Sequence, residues 1–162
     1  MEIIELNEEQ IEEIEDKLSA YDQDFIKFKL DGTIQIGIKE NGKLIAGLDA
    51  CMTAFKILYV STVFVEEPYR RKGYGTKLMQ EMENRARKLG ANIIRLDTFN
   101  WQGKEFYNAI GYELVGSYEN KLEGYSEHFF LKRLDWSTRI IKNNINAKVG
   151  VFLCVISCTK KS

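Results

Sequence analysis

The residues of this chain that are best suited to chemistry stand together in one short loop. Residues 70–76 read Arg-Arg-Lys-Gly-Tyr-Gly-Thr, between an apolar, β-branched run and a segment with helical periodicity. Backbone N–H groups at the start of a helix point into a common space, where the helix dipole adds positive potential. Gly73 and Gly75 allow the backbone to approach a ligand closely, and the three basic side chains add charge. The loop is therefore predicted to bind an anion.

The residues of this loop exclude two familiar phosphate-binding motifs. A P-loop requires Gly-Lys-Ser or Gly-Lys-Thr, and a dinucleotide-binding loop requires a third glycine, and neither pattern occurs here. The chain has a net charge of −1, and three adjacent basic residues are too narrow a face for nucleic acid. We therefore expect a small anionic ligand and no nucleic-acid partner.

Metal chemistry has few residues to draw on. His128 is the single histidine, and the two cysteines that lie close together, Cys154 and Cys158, have no histidine near them. No metal is therefore expected.

An odd number of cysteines at this density indicates a reducing compartment. The first ten residues are too polar for a signal peptide, and the longest apolar run has about half the length of a bilayer span. These features predict a cytoplasmic protein without a membrane partner.

Periodic patterns on both sides of the loop predict the elements that position it. Asn7 and Gln10 form a capping-box pattern ahead of a helix, and residues 2–6 are predicted to form a short edge strand. Asn41 and Gly42 are a strong hairpin signal. Further strands are predicted from residue 33 and over 43–53, 57–65, 93–99, 112–118 and 127–134, and helices over 76–89 and 104–110.

The order of these elements predicts the fold class. A strand–helix–strand crossover makes Ile57–Val65 and Ile93–Phe99 parallel, whereas the hairpins around them are antiparallel. The sequence therefore predicts a mixed α/β (α+β) fold. Its central sheet is mostly antiparallel and has about seven strands with flanking helices, and the fourth and fifth strands form the parallel pair.

Two motifs in this context resemble the GCN5-related N-acetyltransferase (GNAT) family. Residues 70–75, Arg-Arg-Lys-Gly-Tyr-Gly, match the family's Arg/Gln-x-x-Gly-x-Gly/Ala signature between a strand and a helix. Residues 106–112, Phe-Tyr-Asn-Ala-Ile-Gly-Tyr, match its Phe/Leu-Tyr-x-x-x-Gly-Phe/Tyr motif. The resemblance extends over residues 1–134 in element order, and it implies a GNAT-like fold and acetyl-CoA as cosubstrate.

The resemblance also implies roles for individual residues. The loop amides would bind the pyrophosphate of acetyl-CoA, and a backbone N–H of Phe64 or Val65 would serve the oxyanion. Tyr107 would protonate the departing CoA thiolate as a general acid, while Asn100 is balanced between a pantetheine contact and a loop cap. The implied cofactor-binding residues are Val63, Phe64, Val65, Arg70, Arg71, Lys72, Gly73, Tyr74, Gly75, Thr76 and Asn100.

The general base is open at this stage. Residues 56–65 contain no carboxylate, although the family often has one on this strand. Asp97 and Asp49 are the nearest candidates, and His128 has an unperturbed pKa near neutrality but fits a half-buried core position. An ordered water is an equal alternative.

Charge suggests the side from which an acceptor would approach. Residues 1–24 hold ten acids and one base, which suits either a solvated helix face or attraction of a cationic substrate. Tyr21, Phe25 and Phe28 either line a substrate groove or pack in the core.

We expect an N-acetyltransferase for a primary amine of a small cationic molecule, by direct attack in a ternary complex. The alternatives are a protein or peptide amine as the acceptor, and a non-catalytic acyl-CoA-binding regulatory module.

Residues 135–162 do not fit this pattern and form a basic and apolar C-terminal extension. An added edge strand, a homodimer contact and an unstructured end all suit its composition. The expected division is an acetyltransferase domain over residues 1–134, followed by this extension.

Overall fold

Six strands and three α-helices form the part of the chain that the structure describes. The structure is a computed structural model that describes residues 2–26 and 31–134. In chain order the elements are α1 (Glu8–Asp22), β1 (Thr33–Glu40), β2 (Lys43–Met52), β3 (Ile57–Val65), a 3-10 helix (Glu67–Tyr69), α2 (Tyr74–Lys88), β4 (Ile93–Phe99), α3 (Lys104–Ala109), β5 (Glu113–Asn120) and β6 (Tyr125–Arg133). The predicted extension over 135–162 lies outside the described residues.

The six strands form one mixed sheet in the order β1-β2-β3-β4-β6-β5. Only β3 and β4 run parallel among these neighbours, as the crossover through α2 predicted. The predicted fold class is confirmed, with one strand fewer than expected. Residues 2–6 are not a strand: Ile3 is 98% exposed, and none of the six described strands pairs with the segment to complete its backbone hydrogen bonds. The parallel pair is consequently formed by the third and fourth strands.

Local sequence signals fix several element boundaries. Asn41 (φ 51°) and Gly42 (φ 82°) both have positive φ, as a two-residue hairpin turn requires. The Asn7 side chain accepts from the Gln10 N–H at 2.9 Å, and the Gln10 side chain accepts from the Asn7 N–H at 3.1 Å. The predicted hairpin and capping box are both confirmed.

The hydrophobic core lies between the sheet and α2. This helix packs against β1, β2 and β3, and Leu78, Met79, Met82 and Ala86 on its inner face are buried. The rigid attachment of α2 matters because its first turn follows directly on the glycine loop.

Candidate active site

A cleft opens where β3 and β4 separate. Their parallel pairing extends from Ile57 with Ile93 to Tyr59 with Arg95, and the two strands then diverge. A β-bulge follows immediately in β3. Thr62 pairs with Asp49 and Val60 pairs with Ala50, so β3 has one extra residue between them. The opening has a volume of about 1260 Å³ and is bounded by β3, the glycine loop, the end of β4 and α3.

The glycine loop forms one end of this cleft. Arg71 (φ 62°) and Gly73 (φ 83°) are both left-handed, so the backbone between them curves into a concave nest. Gly73 is the N-cap of α2, and the first backbone bond of the helix runs from Lys77 N to Gly73 O at 3.0 Å. The N–H groups of the first turn therefore have no acceptor inside the helix and are available to an anion.

The second glycine of the motif is needed for packing. A Cβ on Gly75 would lie 3.2 Å from Cζ of Phe106 in α3 and 3.8 Å from Cγ2 of Val65. The start of α2, the end of β3 and the start of α3 therefore meet closely at this point, and a larger side chain would push them apart.

The basic side chains of the loop do not act alike. Arg70 donates from Nε to the carbonyl of Val65 at 3.0 Å, so it ties the loop to the end of β3. Lys72 lies over the ring of Tyr69, with Nζ 5.4 Å from the centroid. Of the residues expected to contact the cofactor, Lys72 and Asn100 do not line the cleft, whereas the other nine do.

Asn100 makes contacts that suit a loop cap. Its side-chain oxygen accepts from the Ser126 N–H at 3.2 Å, and its own N–H donates to the Ser126 carbonyl at 3.0 Å. The residue therefore joins the loop after β4 to the start of β6, and of the two alternatives the contacts favour the cap.

The backbone of β3 points the amides of alternate residues into the cleft. The Glu66 N–H donates to the Ile45 carbonyl at 2.9 Å, towards β2. Because neighbouring residues of an antiparallel strand point their amides to opposite sides, the Val65 N–H faces the cleft and that of Phe64 faces β2. Val65 is thus the better placed of the two candidate donors.

Tyr107 lies at the other side of the cleft, on α3. It is 8% exposed and packs against the rings of Phe106, Tyr112 and Phe130. Within the described residues its hydroxyl has no hydrogen-bond partner, although the residue lines the cleft. Burial, and then the negative charge of Asp97, raises the pKa of Tyr107 to about 12. The phenol therefore keeps its proton at neutral pH.

The three candidate bases have different surroundings. Asp97 lines the cleft, and one of its oxygens accepts from the Tyr59 hydroxyl at 2.8 Å. Both oxygens of Asp49 are occupied, one by Gln35 at 3.0 Å and the other by Ser61 at 3.0 Å. His128 does not line the cleft.

His128 is buried in the sheet. Its Nε2 lies 3.2 Å from the Ser126 hydroxyl, and its Nδ1 has no partner within the described residues. The prediction of a half-buried core position understated this burial. A fully enclosed imidazole is poorly placed to take a proton from a ligand in the cleft.

Sequence reasoning missed Trp101 and Glu105, which line the cleft. A usable signal was present in the sequence, since an aromatic residue stands two positions after the carboxyl end of β4. Tyr21 and Phe25 pack on each other with ring centroids 5.4 Å apart, but they line neither the cleft nor the core. Phe28 lies outside the described residues.

Two kinds of feature are absent from residues 2–26 and 31–134. No group of three or more metal-ligating side chains converges there. In the same part of the chain, no helix is long and apolar enough to span a membrane.

Comparison with known proteins now identifies the family. The model of the acetyltransferase (GNAT) family matches residues 2–112. The chain belongs to this family. A blasticidin-S acetyltransferase from Streptomyces morookaense is 30% identical over 96 residues, which cover 59% of this chain and 70% of that protein. The resemblance predicted from residues 70–75 and 106–112 is thereby confirmed.

Solved GNAT structures share the fold described above. An acetyltransferase from Bacillus cereus superimposes with a TM-score of 0.76 at 31% identity, covering 83% of this chain and 98% of that chain. An aminoglycoside 6'-N-acetyltransferase complexed with coenzyme A reaches a TM-score of 0.58 at 18% identity, covering 64% of this chain and 73% of that chain. The chain is therefore an acyltransferase with a GNAT fold.

Proposed function

We propose that this enzyme transfers the acetyl group of acetyl-CoA to a primary amine of a small cationic molecule, by direct attack in a ternary complex. One observation carries the proposal: the nest of left-handed backbone and the Tyr107 hydroxyl lie on the same cleft, which β3 and β4 open by diverging. An anion and a reacting carbonyl can therefore be held in one cavity.

The cosubstrate side is supported by the loop. The free N–H groups at the start of α2 suit a diphosphate, and Arg71 and Thr76 line the same end of the cleft. The relative complexed with coenzyme A shares this fold. We assign the Val65 N–H to the carbonyl oxygen of the acetyl group, because a backbone donor already fixed in a strand needs no reorganisation as negative charge develops.

The acceptor amine must lose a proton before its nitrogen can attack. Asp97 is the carboxylate best placed to accept it, since it lines the cleft and its second oxygen makes no hydrogen bond within the described residues. Tyr59 fixes the first oxygen at 2.8 Å and so positions the carboxyl group. Asp97 accepts the proton directly or through one water.

Tyr107 completes the reaction. The amine nitrogen forms a bond to the acetyl carbon, and the carbon–sulfur bond breaks. The departing sulfur takes the phenolic proton of Tyr107. The nitrogen then gives up its second proton, which restores the phenol. Once Asp97 is protonated, one of the two causes that raise the pKa of Tyr107 is removed. The phenol becomes a stronger acid at the step that needs one.

A cationic acceptor is supported by charge. The acids of α1 are exposed except for the half-buried Asp22, and Asp97 and Glu105 add negative charge to the cleft. A protein or peptide amine is the second candidate acceptor, and substrate profiling separates the two.

Thiol release from acetyl-CoA, measured over a panel of small amines and peptides, tests the proposal. We expect turnover with small cationic amines, and Tyr107→Phe should lower kcat about 100-fold while the affinity for CoA stays within about twofold. Unchanged kcat in this variant would remove the role of Tyr107. Turnover restricted to peptides would transfer the proposal to the second candidate, and CoA binding without any turnover would support the regulatory module instead.

A further inference from the structure

Four aromatic residues form a cluster beside the cleft, and one of them, Trp101, lines it. Trp101 stacks on Phe99 with centroids 4.8 Å apart and an angle of 5° between the rings. Tyr125 meets both rings edge-on, at 5.6 Å from Phe99 and 6.3 Å from Trp101, and Tyr118 packs on Tyr125 at 6.4 Å. These contacts hold the indole in a fixed orientation.

The indole is nevertheless exposed. Trp101 is 64% exposed and lines the cleft, although a large apolar ring gains more by burial than by exposure. An aromatic ring that is held rigidly and still open to a binding cavity is a preformed surface for a cation or an apolar group.

A carboxylate lies within this aromatic cluster. Glu127 on β6 is the register partner of Phe99 on β4 and of Tyr118 on β5, so the three side chains share one face of the sheet. A hydrogen bond with Glu127, followed by burial, raises the pKa of Tyr118 to about 12. The carboxylate therefore lies close to the Tyr118 hydroxyl.

The charged residues of the cleft separate by sign. The cleft is lined by four of them: Arg70 and Arg71 belong to the glycine loop, whereas Asp97 and Glu105 belong to β4 and α3. Arg95 lies on the same face of β4 as Asp97, but its guanidinium is placed over the ring of Tyr59 at 5.0 Å from the centroid. A cation is therefore attracted to the side of the cleft that β4, α3 and the loop with Trp101 form.

We propose that Trp101 and Glu127 form a subsite that selects acceptors with a second cationic group besides the amine that is acetylated. This inference rests on the proposed function and names the acceptor as a diamine or a guanidino-amine. The indole face binds the second cation, and Glu127 supplies the counter-charge.

The spacing of the strand sets the distance between the two amines. Asp97, the proposed base, and Phe99, on which the indole stacks, are two residues apart on the same face of β4, or about 7 Å. Cadaverine has a nitrogen at each end of a five-carbon chain and spans a comparable distance. Pentylamine has the same chain with one nitrogen and is the matched probe.

Steady-state kinetics with these two amines test the subsite. Trp101→Ala and Glu127→Gln should each lower kcat/KM for cadaverine about tenfold and for pentylamine less than twofold. Trp101→Phe, which keeps a ring, should fall between wild type and Trp101→Ala. Glu119→Gln removes an equal charge from the same hairpin but from the opposite face of β5, and it should leave both values unchanged. Equal losses for the two amines, or no loss, would overturn the subsite.

A binding measurement separates this inference from the proposed reaction. The chain has two tryptophans, so in a Trp136→Phe background the fluorescence comes from Trp101 alone. Cadaverine should change this emission at a concentration at least tenfold below that needed for pentylamine. If this selectivity is seen without thiol release, the subsite stands and the proposed reaction fails. If thiol release occurs and the two amines act alike on the emission, the reaction stands and the subsite is wrong.

Discussion

The two 15-residue helices of this enzyme differ in what holds them. Helix α1 has a complete capping box, yet none of its residues is buried; helix α2 has no side-chain cap, yet five of its residues are buried against the sheet. Local signals therefore specify where a helix begins, whereas tertiary packing fixes its position. The glycine loop leads directly into the packed helix α2, whereas the unburied helix α1 carries most of the acids of residues 1–24.

The two helices should differ most in how much stability is lost when an apolar side chain is truncated. Met82→Ala in α2 should lower the free energy of unfolding by about 3 kcal/mol, because Met82 is 0% exposed and its removal leaves a cavity. Ile14→Ala in α1 should change it by less than about 0.5 kcal/mol, since Ile14 is 51% exposed. Urea denaturation followed by circular dichroism gives both values. A loss above about 1.5 kcal/mol for Ile14→Ala would mean that α1 is packed as tightly as α2.

The acceptor side is probed by a pair of carboxylates. Asp97→Asn should lower kcat/KM about 30-fold, because the amide cannot accept the amine proton. Asp49→Asn is the matched control and should lower it less than about twofold, since Asp49 is held by Gln35 and Ser61 and does not line the cleft. Similar losses in the two variants, measured by initial rates at several pH values, would leave water as the base.

The cosubstrate side is probed by a pair of glycines. Gly73 (φ 83°) and Gly111 (φ 84°) have the same backbone conformation, and a Cβ on either meets no atom within 4 Å. Gly73→Val and Gly111→Val should therefore carry a similar cost in stability. Only Gly73→Val should weaken CoA binding, by about tenfold or more, because its side chain enters the nest. Calorimetric titration with CoA measures this, and equal affinity in the two variants would contradict the loop assignment.

Much of the fold was predictable from local patterns. Asn41 and Gly42 specify their turn because both need positive φ, and Asn7 with Gln10 specifies the start of α1. The parallel pairing of β3 with β4 follows from the crossover rule. Residues 2–6 were predicted wrongly, because their apolar residues suggested a strand although no neighbouring strand was there to pair with.

The site was predictable in part. The loop and Tyr107 follow from two motifs, and the structure brings both to one cleft. The side chain of Arg70 on Val65 and the pairing of Asn100 with Ser126 were not predictable, because each depends on a partner in a different element or loop. Trp101 was missed although its position just after β4 is visible in the sequence.

The sequence by itself determined the turns, the helix start and the glycine-rich loop, since these depend on the conformations open to a few adjacent residues. Only the tertiary structure decided which carboxylate enters the cleft, which amide of β3 faces it, and that an indole stays exposed beside it. Those outcomes depend on strand register and on the divergence of β3 from β4, and both are set by contacts between residues far apart in the chain.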